Sequence, residues 1–375
     1  MTRRIAVLTM VGVAFAALSA AGAVGLCDYK PPQTDLTSLW LAGNYRYFND
    51  PTTPDVDVNA GRATLTLNKL FDSPGFGYSL SGLGELGLVN LGLASIAAQG
   101  AGTARYYFAP GEPVFGFGGL NVGYATGQPQ PGVTLSVGAG YGRFADVTPL
   151  AKAFRIQNLL LDRKVITRDL PDSVLLAVGE EIGRWKEYAV GKTPADAAKD
   201  LAAAVVILIE QGARVSVDPR TILAIEDEIL ATGAERYCGW AVQAGLGYEL
   251  VDPYGGPQDV VVTVSADAAY APTPGAQLLF RALAQGPFDI VNQHTLTVTL
   301  AYEQELSPTS ALQANVALQR VKPLDLDPKD SLSANAQLTF TLGKANLGIG
   351  LALTKAADAT GWSVDLSLSV SMKIL

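Results

Sequence analysis

The sequence predicts an all-β transmembrane antiparallel barrel of about fourteen strands, interrupted by an inserted α-helical bundle. Three observations carry that expectation. The last run alternates strictly: Trp362, Val364, Leu366, Leu368, Val370, Met372 and Ile374 are apolar, and Ser363, Asp365, Ser367, Ser369, Ser371 and Lys373 between them are polar. A period of two resolves into two faces only in an extended chain. The polar faces are built of Ser, Thr, Asn, Gln and Gly, where a soluble sandwich or a lipocalin-like barrel would carry Lys and Glu on its outer face. Charge is low, at 17% Asp, Glu, Lys and Arg, yet no segment reaches the ~20 apolar residues of a spanning helix. Leu201 to Ile209, the best candidate, is far too short.

The chain opens with an export sequence. Arg3 and Arg4 precede an apolar stretch over residues 5–18, and residues 19–23 are small enough for cleavage after Ala20 or Ala23. Residues 1–23 are therefore read as a signal peptide; the alternative, an anchor helix, is short of the required length.

Three blocks follow: a first barrel half over residues 24–144, a helical insert over 145–237, and a second barrel half over 238–375. In the first block strands are expected near residues 36–48, 56–69, 76–90, 103–108, 114–124 and 133–144. In the last block the alternation is clearer. Trp240, Val242, Ala244, Leu246, Tyr248 and Leu250 form one apolar face, and Val260, Val262, Val264 and Ala266 the next. A weaker strand is expected at 278–283, then Leu296–Tyr302, Leu312–Leu318, Leu332–Leu342, Leu347–Leu353 and the terminal run. An even count puts both ends of the chain on one side, and outer connections should then be longer than inner ones. Residues 92–102 are expected to form one of the long connections and Gly343-Lys344 one of the tight ones.

The insert is marked by charge, with 12 Lys and Arg and 15 Asp and Glu between residues 146 and 236. Such density indicates water-facing helices. They are expected at 149–161, at 172–189, from Thr193-Pro194-Ala195-Asp196 and from Asp218-Pro219, the last two with a capping side chain and proline at the first helical position. The third is apolar on all sides from Leu201 to Ile209 and should be the buried centre. The block follows the sixth strand, so it belongs on the periplasmic side or inside the lumen, where the glycine-rich strands at 115–124 and 133–142 would leave room for it.

Enzymatic motifs are poor. The one histidine, His294, shares the apolar parity of Leu296 and Val298, where a Ser–His hydrolase would turn it inward. Gly77-Tyr78-Ser79-Leu80-Ser81-Gly82 has Ser81 where a nucleophile elbow needs glycine, and Gly138-Ala139-Gly140-Tyr141-Gly142-Arg143 ends in Arg143 where a dinucleotide loop needs glycine. No cofactor and no metal site is expected; Asp325, Asp327 and Asp330, in an expected outer connection, read as solvated carboxylates, the alternative being calcium binding or a divalent bridge to lipopolysaccharide phosphates. A net charge of −8 without a basic stripe argues against nucleic acid. Cys27 and Cys238 are a candidate disulfide, the alternative being lipidation of Cys27, which Leu26 disfavours. Arg46, Arg62, Arg105, Arg281, Glu85, Glu249, Asp267, Glu303 and Asp365 fall on the inward parity. They are the expected lumen lining, either as a selective constriction or as bracing ion pairs.

The signal at 1–23, the alternating strands from Trp240 onward and the terminal strand to Leu375 resemble Gram-negative outer-membrane β-barrel proteins as a class. The resemblance implies residence in the outer membrane, contact with lipid and lipopolysaccharide, and delivery by the outer-membrane insertion machinery. The class usually ends in Phe or Trp, whereas this chain ends Ile374-Leu375. Two functions are expected of such a barrel. One is a porin-like channel for small polar solutes with the insert as plug or lid. The other is a structural barrel that anchors a helical module for a periplasmic partner.

Overall fold

The computed structural model describes residues 24–31, 33–48, 58–231, 235–307, 309–342, 345–357 and 359–373, without the side chains of 46–48, 58 and 373. The expected signal peptide and Ile374-Leu375 lie outside them. Fourteen strands follow in order: β1 Thr34–Phe48, β2 Val58–Asp72, β3 Phe76–Val89, β4 Gly92–Tyr107, β5 Val114–Ala125, β6 Gly132–Asp146, β7 Tyr237–Val251, β8 Val260–Thr273, β9 Ala276–Gly286, β10 His294–Ser307, β11 Ser310–Lys322, β12 Lys329–Leu342, β13 Ala345–Lys355 and β14 Ser363–Lys373. Each pairs antiparallel with its sequence neighbour, and β14 returns to β1 through Leu41↔Met372 and Gly43↔Val370, closing the ring. A closed ring leaves no unpaired sheet edge, the condition for strands to survive in hydrocarbon.

The register fixes the faces, because directly paired residues point the same way. Leu300 pairs with Val316, Val316 with Ala334, Ala334 with Leu353 and Leu353 with Val364, one apolar level around the outside. Leu366 is 77% exposed and Val137 65%. The apolar faces of the strands therefore form the exterior of the barrel. Inside, the glycines of β6 and β7 do not receive helices. A Cβ on Gly138 would lie 2.6 Å from the Phe117 ring, and one on Gly140 would lie 2.4 Å from the Phe115 ring. The barrel's own aromatics fill the space that the sequence had offered to the bundle.

One long connection expected from the sequence is a strand. β4 begins at Gly92, and β3 and β4 turn at Asn90 and Leu91, whose φ angles of 52° and 61° make the tight hairpin. Residues 92–102 are mostly Gly and Ala, so period two is faint there; pairing with β3 and β5 imposes the extended form. β9 likewise extends beyond the weak 278–283 signal. The connections at 126–131, 252–259, 287–293 and 323–328 lie at the end opposite the helical block, while one of similar length, 108–113, lies at the block's end.

That block comprises α1 Thr148–Asp162, α2 Asp172–Gly183, α3 Trp185–Ala189, α4 Pro194–Ala213 and α5 Pro219–Leu230. Thr193 Oγ1 caps α4 by accepting from the Asp196 amide, and Asp218 caps α5 by accepting from the Arg220 and Thr221 amides. The helix expected over 172–189 breaks at Arg184. Gly183 sits there against the Tyr29 hydroxyl, which would lie 2.7 Å from a Cβ. Leu150, Val178, Leu201, Val205, Ile209 and Ile225 are fully buried in the shared core. α4 is central but not enclosed: it packs on α2, α3 and α5, and Ile207 on its remaining side is 52% exposed. The block lies at the short-turn end of the barrel, not within its wall.

Candidate channel interior

The inward face is polar by register. Thr66, Ser81, Gln99, Asn121 and Thr134 line an upper space of about 510 Å³, and a second space of about 1180 Å³ is lined by residues of β1 through β10. Strand residues, a few connection residues and Glu235 line the larger space; none of its lining residues belongs to α1–α5.

Its walls bring charge together. Arg281 Nε lies 3.4 Å from Asp267 Oδ1 on the adjoining strand, and Arg105, from β4, is within electrostatic reach of the same carboxylate. Arg105 lies over the Phe115 ring at 5.1 Å, with its Nε buried and without a hydrogen-bond partner. Gln243 Oε1 and Ser265 Oγ, at paired positions on β7 and β8, are also buried without a partner. This strip can present guanidinium donors and a carboxylate to a polar solute. Glu249 lines both spaces.

The other expected lining residues are spread along the interior. Arg62 and Glu85 form a pair at 3.1 Å on β2 and β3. Glu303 lies deep on β10, facing the charges of Arg236, Glu235 and Glu305. Asp365 occupies an inward register position level with Ala352 and Asn335, and is exposed. Arg46 stands on the inward parity of β1 opposite Ala60; its side chain lies outside the described residues.

Two groups of residues were not legible in the sequence. Between β1 and β6 the barrel end is drawn in, with the Asp146 amide donating to Thr34 Oγ1 at 3.1 Å between strands that are not neighbours. Behind that contact Tyr107 donates to Asp72 Oδ2 at 2.8 Å, and the Arg143 guanidinium lies 3.6 Å from the Tyr107 ring centre. The second group joins block to barrel. Glu305 Oε1 accepts from Arg155 Nη2 at 2.9 Å and from Arg236 Nη2 at 2.8 Å, while the Pro274 carbonyl accepts from both arginines. Lys186 reaches Asp35, which also pairs with Lys69. Cys27 and Cys238 are joined in a disulfide, Cα atoms 5.3 Å apart, which holds the short 3-10 turn at Leu26–Asp28 against the start of β7. Each of these joins residues far apart in sequence, for which no local pattern exists; of them only the Cys27–Cys238 disulfide was a candidate from the sequence, as the one pairing two cysteines allow.

His294 faces outward, Nδ1 2.8 Å from the Ile290 carbonyl oxygen. The motif at Gly77–Gly82 lies within β3 and the one at Gly138–Arg143 within β6. No metal-binding cluster is found among the described residues.

No family model matches the chain, and no curated protein matches it. Among solved structures the chain is similar to the outer membrane protein opdK from Pseudomonas aeruginosa, at 10% identity and a TM-score of 0.33 over 90% of this chain and 98% of that one. It is also similar to the Acinetobacter baumannii outer membrane protein Omp33, at 10% identity and 0.34 over 92% and 100%. A BenF-like porin from Pseudomonas fluorescens gives 9% and 0.33 over 91% and 97%. Likeness at this level carries no argument; closure follows from the strand pairing itself. A ring of fourteen strands with leucines outside and hydroxyls, amides and paired charges inside has the architecture of an outer-membrane β-barrel.

Proposed function

We propose that the protein is an outer-membrane channel for small polar solutes, with the helical block as a lid at its periplasmic mouth. One observation carries the reading: the charged strip of Arg105, Asp267 and Arg281 beside an interior space of about 1180 Å³. Opposed charges around a pore set up a transverse field that orients and selects dipolar solutes. Export by residues 1–23, the lipid-compatible exterior and the closed ring support outer-membrane residence. Short turns and the block at one end support a periplasmic position for it. The outward histidine supports passage without catalysis. The Arg155–Glu305–Arg236 latch gives the lid a definite closed position, with Pro274 as a second acceptor.

Planar-bilayer recording tests this. The mature chain is expected to conduct; Asp267→Asn should shift its selectivity toward anions, and Glu305→Gln should raise the open fraction. Silence from both the unaltered chain and Glu305→Gln would end the channel reading.

A structural barrel that anchors the block for a periplasmic partner is the second reading. It is favoured by Val190, Leu223 and Ile207, exposed on the block at 77%, 59% and 52%. Cross-linking from Lys199 to an envelope protein, in a chain that does not conduct, would support it.

A further inference from the structure

Charge on the outward strand positions is confined to two places among the described residues, apart from Arg143, whose guanidinium lies over Tyr107. One is the Asp35–Lys69 pair at the end that carries the helical block. The other is at the opposite rim, on three adjoining strands. Arg320 and Lys322 end β11, Asp330 stands near the start of β12, and Lys355 ends β13. Their parity is outward: Arg320 pairs with Leu296 and Asp330, Lys322 with His294, and Lys355 with Leu332. At this height a charge costs a barrel little, ~0–1 kcal/mol, so the rim tolerates one anywhere around its circumference. Three cations on β11 and β13, either side of Asp330 on β12, are a local concentration that tolerance alone does not produce.

Their arrangement has a shape. Asp330 takes two hydrogen bonds from Arg320, Nε and Nη2, at 2.6 Å each, and so fixes the guanidinium plane. Lys322 spends one proton on the Val291 carbonyl at 3.0 Å, which leaves an ammonium able to donate twice more. Lys322 and Lys355 lie two strands apart sideways and four positions apart along the strands, since Lys355 is level with Leu332 and Leu318, a separation of about 16 Å between backbone positions. On the same face Leu296 is level with Arg320, Val298, Leu318 and Leu332 are level with Lys355, and Leu353 lies one step below, so the cations border the hydrocarbon belt. Asp325 and Asp327 sit in the connection beyond the strand ends.

We propose that this rim binds a diphosphorylated glycolipid of the lipid A type, one phosphate at Lys322 and Arg320, the other at Lys355, with the acyl chains on the leucines below. A lipid with one phosphate does not reach both lysines. The proposal rests on the membrane-barrel reading and is independent of the channel reading: a barrel that binds the lipid but does not conduct would leave it standing.

Native mass spectrometry of the mature chain in neutral detergent with EDTA, titrated with diphosphoryl lipid A, tests it. The unaltered chain is expected to retain the lipid. The triple variant Arg320→Gln, Lys322→Gln, Lys355→Gln should bind it roughly tenfold or more weakly, and Lys69→Gln at the other rim as well as before. Equal binding by the triple variant, equal binding of the dephosphorylated glycolipid, or full displacement by inorganic phosphate would overturn the proposal. If the triple variant does not fold, Lys355→Glu alone is expected to weaken binding, and unchanged binding by it would overturn the proposal as well.

Discussion

The barrel and the helical block place the same side chains on opposite sides. In β14 Leu366 is 77% exposed and Leu368 65%; in the block Leu150, Leu201 and Ile209 are fully buried. Both parts obey one rule, that apolar surface leaves water, but they meet different surroundings. The block must make its own apolar interior from a 3.6-residue stripe. The barrel uses lipid as its apolar phase, turns its polar faces inward and satisfies its backbone by closing the ring. Where the barrel does bury large side chains, as at Tyr107 and Phe115, it does so in a confined group over glycines.

Four changes would break or sharpen that contrast. The largest effect is expected from Leu201→Arg. An unpaired charge in the core of the block should cost on the order of 5 kcal/mol and unfold it, lost helical ellipticity and new protease cuts between 146 and 236 being the readout. The heat-modifiable gel mobility of the barrel should survive; its loss would mean that block and barrel are one cooperative unit. Leu351→Arg, on the outer belt, should cost about 2–4 kcal/mol of folding into lipid vesicles, whereas Thr299→Arg, which points into the cavity, should fold normally. Equal penalties would reverse the assignment of faces.

Lys152 on α1 probes the block's interior by pH. Burial lowers its pKa from 10.5 to about 8, against the opposing pull of Glu228, and its Nζ donates to the Ile229 and Ala231 carbonyls. Between these values the unfolded chain holds the extra proton, so stability should rise with pH, by about 2 kcal/mol. Above pH 10 Tyr29 and Tyr188, both raised to about 12, oppose the trend, because there the folded chain is the better proton binder. The difference in melting temperature between the unaltered chain and Lys152→Met isolates the lysine; a flat difference from pH 8 to 10 would contradict its burial. The smallest effect belongs to Thr193→Ala, which removes the α4 cap and should cost about 1 kcal/mol in thermal unfolding of the block.

The expected lumen residues illustrate how much a sequence reading reaches. Arg105, Asp267 and Arg281 were legible as inward by parity, Asp267 in a strand of strong alternation and the two arginines in the weaker runs at 103–108 and 278–283. Their meeting was not legible, since Arg105 comes from β4 and the others from β8 and β9. Residues 92–102 failed for a related reason: glycine and alanine carry too little contrast between faces, and β3 and β5 decide their conformation. The glycines of β6 and β7 were legible as a lack of bulk, but what fills it, Phe117 and Phe115, depends on the neighbouring strand.

The sequence by itself determined most of the segments that are strands, residues 92–102 excepted, which face of each is apolar, where helices interrupt them and which residues cap those helices. These are local periodicities and local hydrogen bonds, written over a few consecutive residues. Tertiary structure alone decided that the ring closes through Leu41 and Met372, that Thr34 meets Asp146, and that Glu305 holds Arg155 and Arg236; the Cys27–Cys238 disulfide was already a candidate, because the sequence holds only two cysteines. Such contacts join residues from tens to hundreds of positions apart, and no short-range pattern specifies which partner a side chain will meet once the sheet curves on itself.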